Sequence, residues 1–135
     1  MKLPLCGLFQ TRTQLTGQRA EDEAYKYLIR KGLKAVTRNY RCKYGEIDLI
    51  MQDDNTLVFI EVRYRKNIRF GSSAETVTIG KQKKLIIAAQ HFMQSEPKRQ
   101  SGPCRFDVVA LSPGTTLKNS GLAIDWIRNA FTLGN

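Results

Sequence analysis

The sequence predicts an α/β domain in which helices flank a central mixed β-sheet. Segments with helical and with strand periodicity follow one another in the order α-β-β-β-α-β-β, which is typical of helices and strands packed in layers around one core. The chain has 135 residues, a length that fits one domain. We therefore predict a flexible lead over residues 1–16, a single domain over residues 17–128 and a tail over residues 129–135.

The individual elements are predicted from hydrophobic periodicity and turn residues. Over residues 17–31, Ala20, Ala24 and Leu28 recur at helical spacing, which indicates an amphipathic helix. A second helix is expected to begin near residue 78. The predicted strands cover residues 34–41, 46–51, 57–64, 106–111 and 122–127.

Composition limits the class of partner. The 22 Lys and Arg residues against 12 Asp and Glu residues give a net charge of +10, which favours a polyanion as partner, meaning nucleic acid or an acidic membrane surface. No apolar run approaches the roughly 18 residues that a membrane span requires. The three cysteines form no C-x-x-C pair, so we expect reduced thiols and a cytoplasmic protein, without a disulfide framework or a zinc site of the usual spacing.

Acidic residues interrupt two otherwise apolar strands. Asp48 lies in the second predicted strand and Glu61 in the third, and a short turn separates the two strands. If the strands form a hairpin, the turn length sets their register. The expected cross-strand pairs are Gln52 with Leu57, Ile50 with Phe59, Asp48 with Glu61, and Glu46 with Arg63.

Strict alternation along the second strand places Asp48 on the same face as Ile50, and Ile47 with Leu49 and Met51 on the opposite face. Directly opposed residues have Cβ atoms about 4.5–5.5 Å apart, and two carboxylates at that distance repel each other. Such a pair needs a proton, a cationic side chain or a metal ion, and a hard cation such as Mg²⁺ suits an all-oxygen site.

A third acid, Glu21, borders the apolar arc of the first helix and is expected to point toward the Asp48–Glu61 pair. A second interpretation remains open at this stage, because a set of ion pairs at a sheet edge also brings acids together. Asp107 and Asp125 interrupt later strands and are interpreted as structural partners of surface arginines. Trp126 is predicted to lie in the core.

Two sequence segments resemble the YraN family: GEIDLI at residues 45–50 and VFIEVRYR at residues 58–65. The resemblance extends from about Gly17 to Trp126. That family is similar to the restriction-endonuclease-like superfamily, whose hallmark is a PD-(D/E)-x-K site, and within it to archaeal Holliday-junction resolvases. The resemblance implies a restriction-endonuclease-like core and a metal-dependent endonuclease acting on DNA phosphodiester bonds, in branched or single-stranded DNA. Because those resolvases cut two strands symmetrically, it also implies a homodimer.

Carried over by residue, the resemblance implies that Asp48, Glu61 and Glu21 bind Mg²⁺ or Mn²⁺. Arg63 occupies the position where the motif usually has lysine. Arginine stays protonated and is a poor general base, but it can stabilise the negative charge of a phosphorane-like transition state. The chain is therefore either a nuclease or a non-catalytic nucleic-acid-binding module that retains the nuclease fold. A third hypothesis is a structural subunit whose basic face docks an acidic protein.

Basic residues surround the acidic positions in the sequence, and we interpret them as contacts to the phosphate backbone. An ordinary solvated face is the alternative. Tyr40, Tyr44, Tyr64 and Phe70 lie among these cations and are candidates for stacking on unpaired bases. The predicted nucleic-acid-binding residues are Arg41, Lys43, Arg65, Lys66, Arg69, Lys81, Lys83 and Lys84.

Overall fold

The computed structural model describes residues 12–65, 77–96, 98, 102–113 and 122–132, with only the backbone of residues 12–17. Lys66, Arg69 and Phe70, which are among the predicted nucleic-acid contacts, lie outside the described residues. The elements, in chain order, are α1 (Arg12–Arg30), β1 (Lys34–Cys42), β2 (Gly45–Asp53), β3 (Thr56–Tyr64), α2 (Ile79–Ser95), β4 (Cys104–Pro113) and β5 (Leu122–Phe131).

The strands form one mixed sheet in the order β1-β2-β3-β4-β5. β3 and β4 are parallel and the chain passes through α2 between them, whereas the other neighbouring strands are antiparallel. A parallel pair requires such a long connection, because a tight turn can join only antiparallel strands. The predicted α/β class, with helices around a central mixed sheet, is confirmed.

The element boundaries differ from the prediction at both ends of the domain. α1 begins at Arg12 rather than at residue 17, because residues 12–16 contain neither proline nor glycine to stop a helix. β5 continues to Phe131, and the ring of Phe131 stacks on that of Phe106 with centroids 4.8 Å apart. Residues 12–16 are therefore helical, and residues 129–131 belong to the sheet.

The sheet separates two apolar cores. α2 covers one face through buried side chains that include Leu85, Ala88 and Phe92. α1 covers the other face through its regularly spaced Ala20, Ala24 and Leu28, as the sequence predicts. The strand residues Ile47, Ile50, Leu57, Phe59, Phe106 and Val108 belong to the α2-facing core, and Leu49, Met51, Val58, Ile60, Val109 and Leu111 to the α1-facing core.

The β2–β3 hairpin has the predicted register. Ile50 pairs with Phe59 and Gln52 with Leu57, and the turn includes Asp54, whose φ is 52°. Asp is one of the few residues other than glycine that adopt this left-handed conformation with some ease. Regular pairing stops at Leu49–Ile60, so the two strands are free to separate just where the acidic residues follow.

Within the part of the chain that the structure describes, neither helix combines the length and apolar character needed to cross a membrane.

Candidate functional site

A cleft of about 1060 Å³ opens where the middle of α1 and the start of α2 approach the first residues of β2 and the last residues of β3. The cleft contains both acidic and basic side chains. Its acids are Glu21, Glu46, Asp48 and Glu61, and its bases are Arg63, Arg65, Lys81 and Lys84. The fold therefore brings together, from one helix and two strands, the four residues predicted to be catalytic: Glu21, Asp48, Glu61 and Arg63.

The side-chain alternation of β2 breaks at Asp48. Ile47 packs in the α2-facing core together with Ile50, whereas Leu49 packs in the α1-facing core. The predicted grouping of Ile47 with Leu49 is therefore wrong. On the adjacent strand β1, Asn39 has a φ of 53° and lies between Arg38 and Tyr40, which pair with Leu49 and Ile47 on either side of Asp48.

Asp48 is held by the backbone of β3. Its Oδ2 accepts a hydrogen bond of 2.8 Å from the Val62 N–H, so the side chain extends the link between β2 and β3 beyond their last regular pair. The bond engages one carboxylate oxygen, and a carboxylate has a second with which to bind a cation. The arrangement fixes Asp48 next to Glu61, as the hairpin register predicts.

The electrostatic surroundings of Asp48 disfavour its charged form. The pKa of Asp48 is raised to about 7, chiefly by burial; the charges of Glu61, Glu21 and Glu46 act in the same direction, and the hydrogen bond from the Val62 N–H opposes them. Burial also raises the pKa of Glu21, where Arg38 acts in the opposite direction. The three acids therefore repel one another inside the cleft, which is the condition that attracts a cation.

Glu61 is the most buried of these acids, with 6% of its surface exposed. Its Oε2 lies 2.6 Å from Lys81 Nζ and 3.5 Å from Arg63 Nη1. The prediction of Lys81 as a DNA contact did not include this pairing. A signal was present, because a cation in the first turn of a helix opposes the helix dipole and needs a compensating anion.

Glu46 lies further out, and its carboxylate forms an ion pair of 2.9 Å with Arg41 on β1. The predicted opposition of Glu46 and Arg63 lies beyond the regular β2–β3 ladder. Both Glu46 and Arg41 are exposed, so this pair contributes little to stability. Glu46 nevertheless adds negative charge near Asp48.

The implied divalent cation can be tested against these ligands. Among the described residues, no three His, Cys, Asp or Glu side chains are close enough to form a metal cage of their own. Mg²⁺, however, is commonly bound by one or two carboxylates together with waters and substrate phosphates. Asp48 and Glu61, which repel each other, therefore fit a cation that also takes ligands from a substrate phosphate. They do not fit a cation whose ligands all come from the protein.

The predicted phosphate contacts lie at different distances from the cleft. Arg65, Lys81 and Lys84 line it, and Lys43 and Arg41 lie on and next to the β1–β2 turn. Lys83 is exposed on α2 and is not among the residues lining the cleft. The described cations thus form a rim on two sides of the acidic residues.

The aromatic candidates for base stacking differ in accessibility. Tyr40 is engaged with α2, because its ring packs edge-on against Phe92 with centroids 5.2 Å apart and its hydroxyl bonds to His91 Nδ1. Tyr64 lines the cleft. Tyr44 lies in the β1–β2 turn with 44% of its surface exposed and Lys43 over its ring. Tyr44 is therefore more accessible than Tyr40 for stacking on a base.

Comparison with known proteins identifies relatives along most of the chain. A family model described as "Uncharacterised protein family UPF0102" matches residues 20–111. A UPF0102 protein of Saccharophagus degradans is 52% identical over 118 residues, covering 87% of this chain and 93% of that protein. A UPF0102 protein of Cupriavidus pinatubonensis is 48% identical over 126 residues, covering 93% and 91%.

A search of solved structures finds a Pyrococcus furiosus SfsA structure in complex with Ca²⁺. The TM-score is 0.36 and the sequence identity 16%, with 86% of this chain and 63% of that chain covered. We draw nothing about the present site from a likeness at this level.

Proposed function

We propose that this chain, which belongs to the uncharacterised protein family UPF0102, also known as the YraN family, is a metal-dependent nuclease that hydrolyses DNA phosphodiester bonds. Branched or single-stranded DNA is the proposed substrate. The observation that carries the proposal is the repelling pair Asp48 and Glu61 in a cleft rimmed by cations.

The charge distribution supports a phosphodiester ligand over other anions. A phosphate that enters the cleft meets Arg65 and Lys84 at the rim but is repelled by the acids below. A divalent cation held by Asp48 and Glu61 would offset that repulsion, since it would attract both the carboxylates and the phosphate. The basic rim and the acidic centre are therefore complementary to a phosphate backbone that binds together with a metal ion.

Each residue has a role in this proposal. Asp48 and Glu61 would hold the cation, and Glu21 contributes negative charge from α1. When bound, the cation polarises a phosphoryl oxygen and lowers the pKa of a bound water. The Val62 N–H keeps the Asp48 carboxylate in place. Arg65 and Lys84 hold the backbone on either side through contacts that depend on salt and carry little sequence information.

Arg63 has a narrower role than the lysine it replaces. It lies near Glu61 with 24% of its side chain exposed, where it can donate hydrogen bonds to a phosphate in the cleft. Because a guanidinium does not lose its proton, Arg63 stabilises developing negative charge and does not activate water.

A cleavage assay tests the proposal. Purified protein is incubated with branched, flapped and single-stranded DNA in Mg²⁺ or Mn²⁺. We expect cleavage of at least one substrate, and a loss of about 100-fold or more in Asp48→Asn and Glu61→Gln. DNA binding, measured by fluorescence anisotropy, should be retained in both variants and should weaken as salt increases.

Asp125→Asn is the matched control, because Asp125 is exposed on β5 and is not among the residues that line the cleft. It removes the same charge and should cleave like the wild type. Binding without cleavage on every substrate and metal would instead favour the non-catalytic module. If neither DNA nor RNA binds at low salt, the nuclease and the module both fail. A homodimer stays a prediction, which analytical ultracentrifugation can test.

A further inference from the structure

The shortest ion pair at the site joins α2 to the floor of the cleft. Lys81 Nζ lies 2.6 Å from Glu61 Oε2, closer than the 3.5 Å of Arg63. The lysine side chain is 44% exposed whereas the glutamate side chain is 6% exposed. Lys81 therefore reaches a buried carboxylate from the solvent side and neutralises one of the acids that repel Asp48.

The backbone of Lys81 is anchored, whereas its side chain is long and partly exposed. Thr78 caps α2, and its hydroxyl accepts a hydrogen bond of 3.1 Å from the Lys81 N–H. Lysine carries its ammonium on a flexible four-carbon stem, so the charge can move within the cleft although the helix stays in place. Arg63 differs, because it lies on β3 two residues from Glu61 and is less exposed.

A divalent cation bound by Glu61 would approach the carboxylate that Lys81 already occupies. Two cations close to one carboxylate repel each other, so the ammonium opposes metal binding in the free protein. A phosphate in the same cleft offers the ammonium another anion. Once the ammonium moves to the phosphate, Glu61 is released to bind the metal.

We propose that Lys81 couples DNA binding to metal binding by exchanging its contact with Glu61 for a contact with a DNA phosphate. The proposal rests on the nuclease function proposed above. It implies that the metal site becomes strong only when substrate is present. Coupling between two ligands is reciprocal, so the metal must strengthen DNA binding by the same factor.

The coupling can be measured without cleavage. Mn²⁺ affinity is determined by calorimetry for the wild type, with and without a saturating single-stranded oligonucleotide whose integrity is checked on a gel afterwards. We expect the oligonucleotide to raise the Mn²⁺ affinity of the wild type at least about fivefold. In Lys81→Met, the Mn²⁺ affinity without DNA should rise about fivefold, and the further increase caused by DNA should be smaller than in the wild type, because only the direct attraction between the metal and the phosphate remains.

Lys34→Met is the matched control, because Lys34 is exposed on β1, lies outside the predicted nucleic-acid contacts, and loses the same charge. It does not line the cleft, so its Mn²⁺ affinity without DNA should equal that of the wild type. Lys81→Gln provides a second variant should Lys81→Met fail to fold, since it keeps a polar partner for Glu61 without the charge. Circular dichroism checks the fold of each variant.

The outcomes separate the two proposals. If both Lys81 variants show the full coupling of the wild type, the role of Lys81 is overturned and the nuclease proposal stands. If the wild type binds Mn²⁺ and DNA independently, the role of Lys81 is overturned together with the sharing of the cation by a phosphate, and the cleavage assay alone decides the nuclease proposal. If the wild type binds neither Mn²⁺ nor DNA, the nuclease proposal fails and the coupling fails with it.

Discussion

Two acids are buried at neighbouring positions of the sheet, and the groups around them are very different. Among the described residues, Glu61 on β3 and Asp107 on β4 are the buried charged side chains, 6% and 1% exposed. Asp107 lies opposite Ile60, the residue that precedes Glu61. Their surroundings differ in how fully the negative charge is compensated.

The carboxylate of Asp107 accepts hydrogen bonds from donors on both β4 and β5. It accepts hydrogen bonds from Arg105 Nε at 3.0 and 3.2 Å, from Trp126 Nε1 at 2.9 Å and from the Asn129 N–H at 2.9 Å. Asn129 has a φ of 55° at the irregularity between β4 and β5. The predicted pairing of Asp107 with an arginine is confirmed, although Arg105 is largely buried rather than at the surface.

Glu61 forms ion pairs with two cationic side chains but also lies next to a second acid, Asp48. Lys81 and Arg63 pair with it, while its charge raises the pKa of Asp48. A buried carboxylate with several donors and no acid against it is a structural element. A buried carboxylate that opposes a second one destabilises the fold, which is characteristic of sites that bind a further charge. Three measurements can test this distinction.

The largest expected effect on stability comes from removing the carboxylate of Asp107. Asp107→Ala should lower the free energy of unfolding by about 3–5 kcal/mol, because it leaves Trp126 Nε1 and the Asn129 N–H without their acceptor and leaves Arg105 with Asp53 as its remaining carboxylate partner. Urea unfolding measures the change. Asp125→Ala, an exposed acid on the next strand, is the control and should change stability by less than about 0.5 kcal/mol. Equal effects of the two substitutions would remove the structural role of Asp107.

For Asp48, the acid that opposes Glu61, the expected change in the free energy of unfolding has the opposite sign. Asp48→Asn should raise the free energy of unfolding by about 1–3 kcal/mol at pH 8, because it removes a carboxylate that burial and Glu61 disfavour while keeping an oxygen for the Val62 N–H. The pKa of Asp48 is about 7 in the folded protein against an ordinary value of 3.8. The folded state therefore loses stability as the pH rises through that interval.

The gain from Asp48→Asn should accordingly shrink as the pH falls from about 7 towards 3.8 and be smallest below pH 3.8, where the carboxyl is largely protonated in both the folded and the unfolded state. Urea unfolding at these pH values measures it without added metal. A gain independent of pH, or a loss of stability at pH 8, would contradict the repulsion between Asp48 and Glu61.

The smallest expected effect comes from adding a divalent cation. At a free Mg²⁺ concentration ten times its dissociation constant, binding to the folded state should add about 1.4 kcal/mol to the stability of the wild type. Asp48→Asn should gain much less, whereas Asp125→Asn should gain as much as the wild type. A thermal shift series over Mg²⁺ concentration tests this, and equal gains in all three proteins would place the cation elsewhere.

Local patterns were sufficient to predict much of this molecule. The apolar spacing of Ala20, Ala24 and Leu28 predicts α1 and the face it buries, and the short turn at Asp54 sets the hairpin register through Ile50 and Phe59. These features depend on residues near one another in the chain. The proximity of Asp48 and Glu61 follows from the same register, so the local pattern was enough to locate a candidate acidic pair.

The tertiary structure alone decided how those acids are compensated. Lys81 reaches Glu61 only because α2 packs across the sheet, and Asp107 meets Asn129 only because β5 departs from regular pairing beside it. The break at Asp48 likewise depends on where pairing with β3 stops. The sequence by itself determined which acids lie in apolar strands. Contacts between distant segments decide which acid has its charge compensated and which repels a neighbouring acid. No local sequence pattern encodes those contacts.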